Sequence, residues 1–269
     1  MSRIPKIIHY VWIGGAPLPE LAERCMASWK KHMPEWVYMR WDESNFDIAA
    51  APLYVRQAYE VKKFAFVSDY VRLWALEQYG GLYMDVDFLV HRPFDDIMDK
   101  YTAFAGYEGS KYQPVMLGVM ASEAHGEWVK GMMQTYDSRP FIKEDGSYDM
   151  IPNSAYFTNW LNSMGFIADG VEKDFFVESQ ELRDESQELR DESRELRAKS
   201  REFLLHVFPV QYFCPVLTTL EDVRTEETYC EHMRLGSWGN GVNWKMKLLS
   251  HFSPKVQTKI MKIKRRIFG

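Results

Sequence analysis

Two acidic residues, Asp85 and Asp87, stand one residue apart at the end of an apolar run, and this spacing suits the binding of a divalent cation. Because side chains alternate between the faces of a strand, the sequence predicts that Asp85 and Asp87 share one face with Tyr83, while the apolar residues between them face a core. Two carboxylates so close repel each other unless one is protonated or a cation lies between them. A hard divalent ion takes oxygen ligands and keeps positions for phosphate oxygens. The pattern therefore suits a bound nucleoside diphosphate; a solvated strand end is the alternative interpretation.

A second charged pair, Asp69 and Arg72, precedes this pattern on a predicted helix that ends at Gly80 and Gly81. Residues three apart lie on one face of a helix, so the two side chains are expected to be neighbours. They are either a surface ion pair of small energetic value or part of the same site.

The elements that must position these residues alternate between strand and helix. This alternation predicts an α/β fold with a largely parallel, doubly wound sheet. Ligands of such sheets bind beyond the carboxyl ends of the strands, where Gly14 and Gly15 are also expected. The fingerprint G-x-G-x-x-G of dinucleotide-binding proteins is absent from the sequence. Strands are predicted at 7–13, 35–41, 82–89, 102–107 and 115–121, and helices at 19–31, 61–79 and 125–136.

Three segments together resemble the DXD-type sugar transferases of glycosyltransferase family 32. They are SDYVRLWALEQYGGLYMDVD at 68–87, IPKIIHYVWIGG at 4–15 and HMRLGSW at 232–238. The wider group includes fungal α-mannosyltransferases and the glucosylating domains of large clostridial toxins. The resemblance implies a GT-A fold with a mixed sheet and helices on both faces.

The resemblance also implies an activity and a set of site residues. The expected reaction is a metal-dependent, retaining transfer from a UDP-sugar, or a GDP-sugar, to a saccharide acceptor in surface or capsular polysaccharide synthesis. The expected metal ion is Mn²⁺ or Mg²⁺, with Asp87, Asp85 and His232 as ligands. The expected donor-binding residues are Val11, Trp12, Asp69, Arg72, Tyr83, Asp85, Ser237 and Trp238, of which Asp69, Arg72 and Asp85 are expected to be catalytic together with Asp87. Asn153 and Ser154 are the candidates for acceptor binding.

Composition limits the class of protein. At 269 residues with 46% hydrophobic content, the chain is large enough for one domain with a sizeable core. No stretch reaches the roughly 20 apolar residues that cross a bilayer. Its three cysteines, Cys25, Cys214 and Cys230, are too widely spaced for a disulfide framework or a zinc motif, which indicates a reducing cytoplasm.

Residues 178–203 contain a charged seven-residue repeat with Leu182, Leu189 and Leu196 in register. The repeat predicts a helix, but serine occupies the second core position of each heptad, which disfavours a stable coiled coil. The leucine stripe is expected to dock on its own domain or on a second subunit of a homodimer. Tandem duplication without a role in the chemistry is the other interpretation.

The last 25 residues, 245–269, carry eight lysines and arginines and no acidic residue. Without those eight charges, the net charge of −5 becomes −13 on residues 1–244. The mixture of basic and apolar residues predicts a segment that lies on an anionic membrane surface, here the inner face of the cell membrane. The acidic body disfavours nucleic acid as a partner. The sequence thus predicts a catalytic domain over 1–244 and a basic tail over 245–269, the alternative for the tail being a terminal helix packed on the domain.

Two other classes of function are open at this stage. A non-catalytic scaffold or sugar-binding module would use the pair of aspartates to hold a structural cation. A phosphohydrolase of the haloacid-dehalogenase type also places two such aspartates at a strand end, but it carries a different residue pattern after the second one than Phe88 and Leu89.

Overall fold

A computed structural model of the chain describes residues 4–109, 114–178, 201–216 and 221–235. The strands in these ranges are β1 (Ile7–Val11), β2 (Val37–Trp41), β3 (Gly81–Met84), β4 (Phe88–Val90), β5 (Ala103–Tyr107), β6 (Val115–Ser122), β7 (Lys173–Glu178), β8 (Arg201–Phe208) and β9 (Cys230–His232). The helices are α1 (Glu20–His32), α2 (Leu53–Glu60), α3 (Phe64–Tyr79), α4 (Asp95–Lys100), α5 (Glu127–Gln134), α6 (Asn153–Ser163) and α7 (Val210–Phe213).

Seven of the strands form one mixed sheet in the order β2-β1-β3-β6-β5-β8-β7. The pairs β1/β2, β1/β3 and β5/β8 are parallel, whereas β3/β6, β5/β6 and β7/β8 are antiparallel. The predicted α/β class is therefore confirmed, and the sheet is mixed rather than largely parallel. Strands β4 and β9 form a separate antiparallel pair.

Helices cover both faces of the large sheet, so the apolar core is divided into two layers. Tyr83 packs in the layer of α2, α3, α5 and α6, whereas Leu82 and Met84 pack in the layer of α1, α4 and α7. The predicted alternation of side chains is thus correct along β3, where burial on both faces excludes polar residues.

The turn at Gly80 and Gly81 joins α3 to β3, and its backbone requires glycine. Both residues have positive φ angles, 62° and 117°. A Cβ atom on Gly81 would lie 2.7 Å from the carbonyl oxygen of Ile7 on the neighbouring strand. Only glycine avoids both the strained φ and this clash, so the turn holds β3 close against β1.

Three predictions of local structure are wrong. The expected strand 82–89 stops at Met84 and resumes at Phe88 as part of the other sheet, so Asp85 and Asp87 do not alternate along one strand. The expected helix 61–79 begins at Phe64, after a turn in which Lys62 has a φ of 59°. Residues 201–203, expected at the end of the repeat helix, begin β8 and pair with β7.

The remainder of the predicted repeat helix, residues 179–200, and the whole basic tail lie outside the described residues. Within the described ranges, none of the helices combines the length and the apolar character needed to cross a membrane.

Candidate active site

The two aspartates lie in a tight turn between the large sheet and the β4/β9 pair. The Asp85 amide donates to the Gly118 carbonyl of β6 at 2.8 Å, so Asp85 continues the ladder of β3 by one bond. The Phe88 amide donates to the Asp85 carbonyl at 3.1 Å and closes the turn. Asp85 is therefore held by the central sheet, while Asp87 belongs to the turn that leads into β4.

The Asp85 carboxylate is held by two neighbouring side chains. The Tyr83 hydroxyl donates to its Oδ1 at 2.7 Å, and Nη2 of Arg72 lies 3.3 Å from the same oxygen. Its other oxygen faces β6, where a Cβ on Gly118 would approach Oδ2 to 3.0 Å. Burial raises the pKa of Asp85 above its usual value; Arg72 opposes this rise and the neighbouring Asp87 adds to it. A carboxylate that is fixed in this way is suited to binding a nearby cation.

Arg72 projects from α3 into the centre of the site, where each guanidinium nitrogen has a protein partner. Nε donates to the Ser68 carbonyl at 3.1 Å and Nη1 to the Leu117 carbonyl at 2.8 Å. Nη2 donates to the Ser68 hydroxyl at 3.1 Å and forms ion pairs with Asp69 and Asp85. The guanidinium also lies 4.7 Å from the centre of the Tyr83 ring. Arg72 is thus a fixed positive charge whose position does not depend on a ligand.

Asp69 and Tyr83 lie behind this guanidinium and are almost completely buried. Burial raises the pKa of Asp69 to about 7, an effect that Arg72 at 3.1 Å opposes only in part. Apart from that ion pair, both Asp69 oxygens lack a hydrogen-bond partner among the described residues. These two residues support Arg72 and Asp85, and neither lines a cavity described below.

Asp87 is clamped by the segment that follows β9. Phe88 of β4 is opposite His232 of β9, and their rings stack with centroids 4.6 Å apart. This register places Nε2 of His232 3.2 Å from Oδ2 of Asp87. The Leu235 amide donates to the same oxygen at 2.8 Å, and the Met233 amide donates to the Asp87 carbonyl at 2.8 Å.

The electrostatics of this pair favour an ionised carboxylate. Burial alone would raise the pKa of Asp87, but the His232 imidazole and the Leu235 amide outweigh it and lower the pKa. Burial likewise lowers the pKa of His232, and the adjacent Asp87 carboxylate more than compensates, so the net shift is upward. These opposite shifts favour an ion pair between the two side chains.

The donor atoms around Asp87 fit a divalent metal ion in type. Carboxylate oxygens and a neutral imidazole nitrogen are ligands that Mn²⁺ accepts, and Asp87 Oδ2 and His232 Nε2 lie 3.2 Å apart, so His232 would lose its proton to ligate the ion. No three acidic, histidine or cysteine side chains among the described residues form a preformed metal cluster. A metal ion here would therefore take further oxygens from a ligand or from water, as Mg²⁺ and Mn²⁺ sites on phosphates do.

Two cavities meet at this cluster. The first, which we name the β1 cavity, has a volume of about 530 Å³ and lies beyond the carboxyl end of β1. Val11, Trp12 and Asp87 line it, and so do Ser68 and Lys63. Trp12 Nε1 donates to the Ala16 carbonyl at 2.6 Å, which fixes the indole beside the cavity.

The second cavity, which we name the α6 cavity, has a volume of about 940 Å³ and lies between α6 and the β5/β6 edge. Asn153 and Ser154 line it at the start of α6. Arg72, Asp85 and His232 line both cavities, so these three residues stand at the junction. The structure thus brings most of the sequence-predicted residues together around one junction, while Ser237 and Trp238 lie outside the described residues.

Several residues at the junction were not among the sequence candidates. Ser68 binds Arg72 twice, and its place directly before Asp69 was the available signal. Leu235 contributes only a backbone amide, so its side-chain type carried no signal. Asn159 and Asn162 line the α6 cavity. The signal for them in the sequence was the presence of two further asparagines, six and nine residues after Asn153.

Comparison with known proteins gives one family match over part of the chain. Residues 19–104 match the family described as "Glycosyltransferase sugar-binding region containing DXD motif". The matched segment contains Asp69, Arg72, Asp85 and Asp87, and it ends before Asn153 and His232.

Two curated relatives are similar at low identity. The inositol phosphoceramide mannosyltransferase 1 of Schizosaccharomyces pombe is 29% identical over 112 residues, which is 38% of this chain and 34% of that protein. Glucan organizing enzyme 1 of Cryptococcus neoformans var. grubii is 28% identical over 174 residues, or 62% and 35% of the respective chains. This chain therefore spans about a third of the length of the curated relatives it matches.

Among solved structures, the PaToxG glycosyltransferase superposes with a TM-score of 0.42 at 17% identity, covering 60% of this chain and 69% of that one. The apo form of the Streptococcus pneumoniae glycosyltransferase GlyE gives a TM-score of 0.37 at 11% identity, covering 97% and 64%.

Proposed function

We propose that this chain is a metal-dependent glycosyltransferase that moves a sugar from a nucleotide sugar to a saccharide acceptor. The observation that carries the proposal is the junction of two cavities at Arg72, Asp85 and His232, next to Asp87. A transferase needs separate spaces for donor and acceptor that meet where the sugar is exchanged. The family match over residues 19–104 and the relative named a mannosyltransferase support this reading.

In this proposal, Asp87 and His232 hold Mn²⁺ or Mg²⁺. Asp85 lies next to the ion and contacts the nucleotide sugar. The ion, when bound, neutralises the negative charge that grows on the departing diphosphate. Asp85 keeps its orientation through Tyr83 and Arg72 whether or not a ligand is present. Such preorganisation means that the site does not have to rearrange during the reaction.

The nucleotide is proposed to occupy the β1 cavity. Trp12 and Val11 line this cavity. In the proposal the Trp12 indole stacks on the base and the Val11 backbone forms hydrogen bonds with it. Lys62, Lys63 and Arg234 also line this cavity and supply positive charge for the diphosphate. The donor is a UDP-sugar in this proposal, with a GDP-sugar as the alternative, and Ser237 and Trp238 contribute to diphosphate binding.

The sugar is proposed to be transferred with retention of its anomeric configuration. In that mechanism the acceptor hydroxyl attacks from the face of the leaving group, and its proton passes to the departing phosphate oxygen. Arg72 supplies a fixed positive charge beside the sugar, Asp69 supports the guanidinium from the buried side, and no side chain acts as a general base. The role of the protein is then to orient the two substrates and to exclude water.

The cellular setting is proposed from the sequence alone. The basic tail would bind an anionic membrane surface on the cytoplasmic side, where a lipid-linked saccharide of surface polysaccharide synthesis is the acceptor. The seven-residue repeat, of which residues 179–200 lie outside the described part of the chain, would join two copies of the chain.

The central test is donor hydrolysis. The purified chain should release nucleoside diphosphate slowly from a UDP- or GDP-sugar in the presence of Mn²⁺, and a chelator should stop the release. Asp87→Ala should reduce the rate at least about 100-fold, as expected for loss of a major electrostatic contribution, with an unchanged circular dichroism spectrum. Inertness of the wild-type chain toward all common UDP- and GDP-sugars would instead support a sugar-binding or scaffold protein.

A further inference from the structure

The α6 cavity carries a buried polar group that has no hydrogen-bond partner in the described structure. Asn153 is 6% exposed and lines the cavity, and its Nδ2 has no hydrogen-bond partner among the described residues. A buried amide without a partner is unfavourable, and such groups in native proteins usually serve a ligand or a bound water molecule. Asn153 therefore points to a ligand that accepts a hydrogen bond.

Two more amides line the cavity further along α6. Asn159 and Asn162 are exposed, line the cavity and lie three residues apart, so they share one face of the helix. An amide side chain donates and accepts hydrogen bonds at once, as a sugar hydroxyl does. One face of α6 is thus matched to a row of hydroxyl groups.

Apolar side chains also line the cavity. They include Pro114, Met116 and Ile167, and Ile167 is 70% exposed although it is a large hydrophobic residue. Small-molecule sites combine such apolar surface with a few polar groups that fix orientation. A pyranose ring has the same two-sided character, with C–H groups on its faces and hydroxyls at its edge.

The charges of the two cavities differ. Apart from the junction residues that both share, Glu108 is the only charged residue that lines the α6 cavity in the described part of the chain. The β1 cavity, in contrast, has Lys62, Lys63 and Arg234. A phosphate or carboxylate in the α6 cavity would find no cation beyond the junction, and Glu108 would repel it.

We propose that the α6 cavity binds the acceptor as an uncharged saccharide, and that Asn153, Asn159 and Asn162 recognise its hydroxyl groups. This inference rests on the proposed function, since it names the acceptor of the same site. Charge then separates the two substrates: the diphosphate is held on the β1 side, and a neutral sugar ring on the α6 side. Any phosphate that links the acceptor to a lipid must lie outside this cavity.

The test compares sugar transfer with donor hydrolysis in the same Mn²⁺-loaded samples. The acceptors are a panel of methyl and octyl hexopyranosides and the corresponding hexose 6-phosphates, offered with UDP- and GDP-sugars. The double variant Asn159→Leu/Asn162→Leu should lower the ratio of transfer to hydrolysis at least tenfold for the uncharged glycosides. Ser163→Leu, an exposed residue of the same helix that does not line the cavity, is the matched control and should leave the ratio within twofold.

Binding gives a readout that does not depend on turnover. Saturation-transfer NMR with methyl hexopyranosides, without donor or metal, should detect contact with the wild type and with Ser163→Leu but not with the double variant. An unchanged transfer ratio in the double variant, or preferential transfer to the hexose 6-phosphates, would overturn the acceptor assignment alone. A wild-type chain that hydrolyses no nucleotide sugar would overturn the proposed function and this inference together.

Discussion

Asp87 and His232 are separated by 145 residues in the chain, yet Asp87 Oδ2 and His232 Nε2 lie 3.2 Å apart. The contact results from the pairing of β4 with β9, which sets Phe88 opposite His232. The imidazole is thereby held on one side by a stacked ring and on the other by a carboxylate. The stacked Phe88 ring fixes the plane of the imidazole, and in the proposed site His232 and Asp87 would ligate the same ion.

Replacing His232 should therefore weaken metal binding more than it weakens the fold. His232→Gln keeps a polar side chain of similar reach but removes the imidazole nitrogen. We expect at least a tenfold loss of Mn²⁺ affinity, about 1.4 kcal/mol. Thermal shift in the presence of Mn²⁺ and UDP measures this, because a ligand that binds only the native state raises its apparent stability.

His32→Gln, at the end of α1 and away from the cavities, provides the control and should respond to Mn²⁺ as the wild type does. An equal Mn²⁺ response in His232→Gln would remove His232 from the metal site.

Arg234 has a backbone role that a glycine can replace. Its φ of 55° lies in the left-handed region, and this turn directs the next amide, that of Leu235, to Asp87. The Arg234 side chain separately donates to the Val216 carbonyl at 2.8 Å. Both Arg234→Gly and Arg234→Ala lose the side-chain bond, but only glycine adopts the left-handed conformation without strain.

We predict that Arg234→Gly is more stable than Arg234→Ala by about 1 kcal/mol, measured by urea denaturation at pH 7. The order is the reverse of the general preference for alanine over glycine in regular structure. An alanine variant as stable as the glycine variant would show that the Asp87 clamp does not depend on this backbone conformation.

The sequence predicted the faces of β3 better than it predicted where the strand ends. The alternation at Leu82 and Met84 was correct because burial on both faces of β3 leaves a clear apolar pattern. The same apolar pattern runs on to Val86, so it could not show that the strand ends at Met84. The end depends on β6, whose Gly118 carbonyl takes the last ladder bond from Asp85.

The pairing of strands that lie far apart in the chain was the other feature that the sequence did not predict. Strand β9 has three residues, too few for a local signal, and its pairing with β4 was not predictable from either segment alone. The sequence also did not show where β7 ends and β8 begins. The charged repeat lies between these strands in the chain, and its seven-residue pattern continues in phase as far as Phe203. Phe203 is nevertheless a strand residue, opposite Phe176.

The basic tail is predicted to increase binding to anionic membranes. Each lysine or arginine near such a surface contributes about 1 kcal/mol, and residues 245–269 contain eight of them. Deletion of 245–269 should reduce binding to phosphatidylserine-containing vesicles at least tenfold in a sedimentation assay, and added salt should weaken the binding of the full chain. Phosphatidylcholine vesicles are the control, and binding that is insensitive to both the deletion and salt would contradict a membrane role.

A buried histidine should make the fold sensitive to mild acid. His9 on β1 is fully buried: Nε2 donates to the Gly80 carbonyl at 2.8 Å, and Nδ1 accepts from Trp41 Nε1 at 3.1 Å. A proton on Nδ1 would face the indole N–H, so the fold requires the neutral ring. Burial lowers the pKa of His9 from 6.5 to about 4, although the bond to Gly80 opposes the shift.

Because the unfolded chain takes up this proton at a higher pH than the folded chain, the contribution of neutral His9 to stability is complete above pH 6.5. It is lost as the pH falls to about 4, and the loss is on the order of 3 kcal/mol. In urea denaturation series at several pH values, the stability advantage of the wild type over His9→Gln should shrink by that amount between pH 7 and 4. If His9→Gln does not fold, an NMR titration of His9 in the wild-type protein measures its pKa directly. Parallel curves for the wild type and His9→Gln, or a measured His9 pKa near 6.5, would show that burial of this ring is not a source of acid sensitivity.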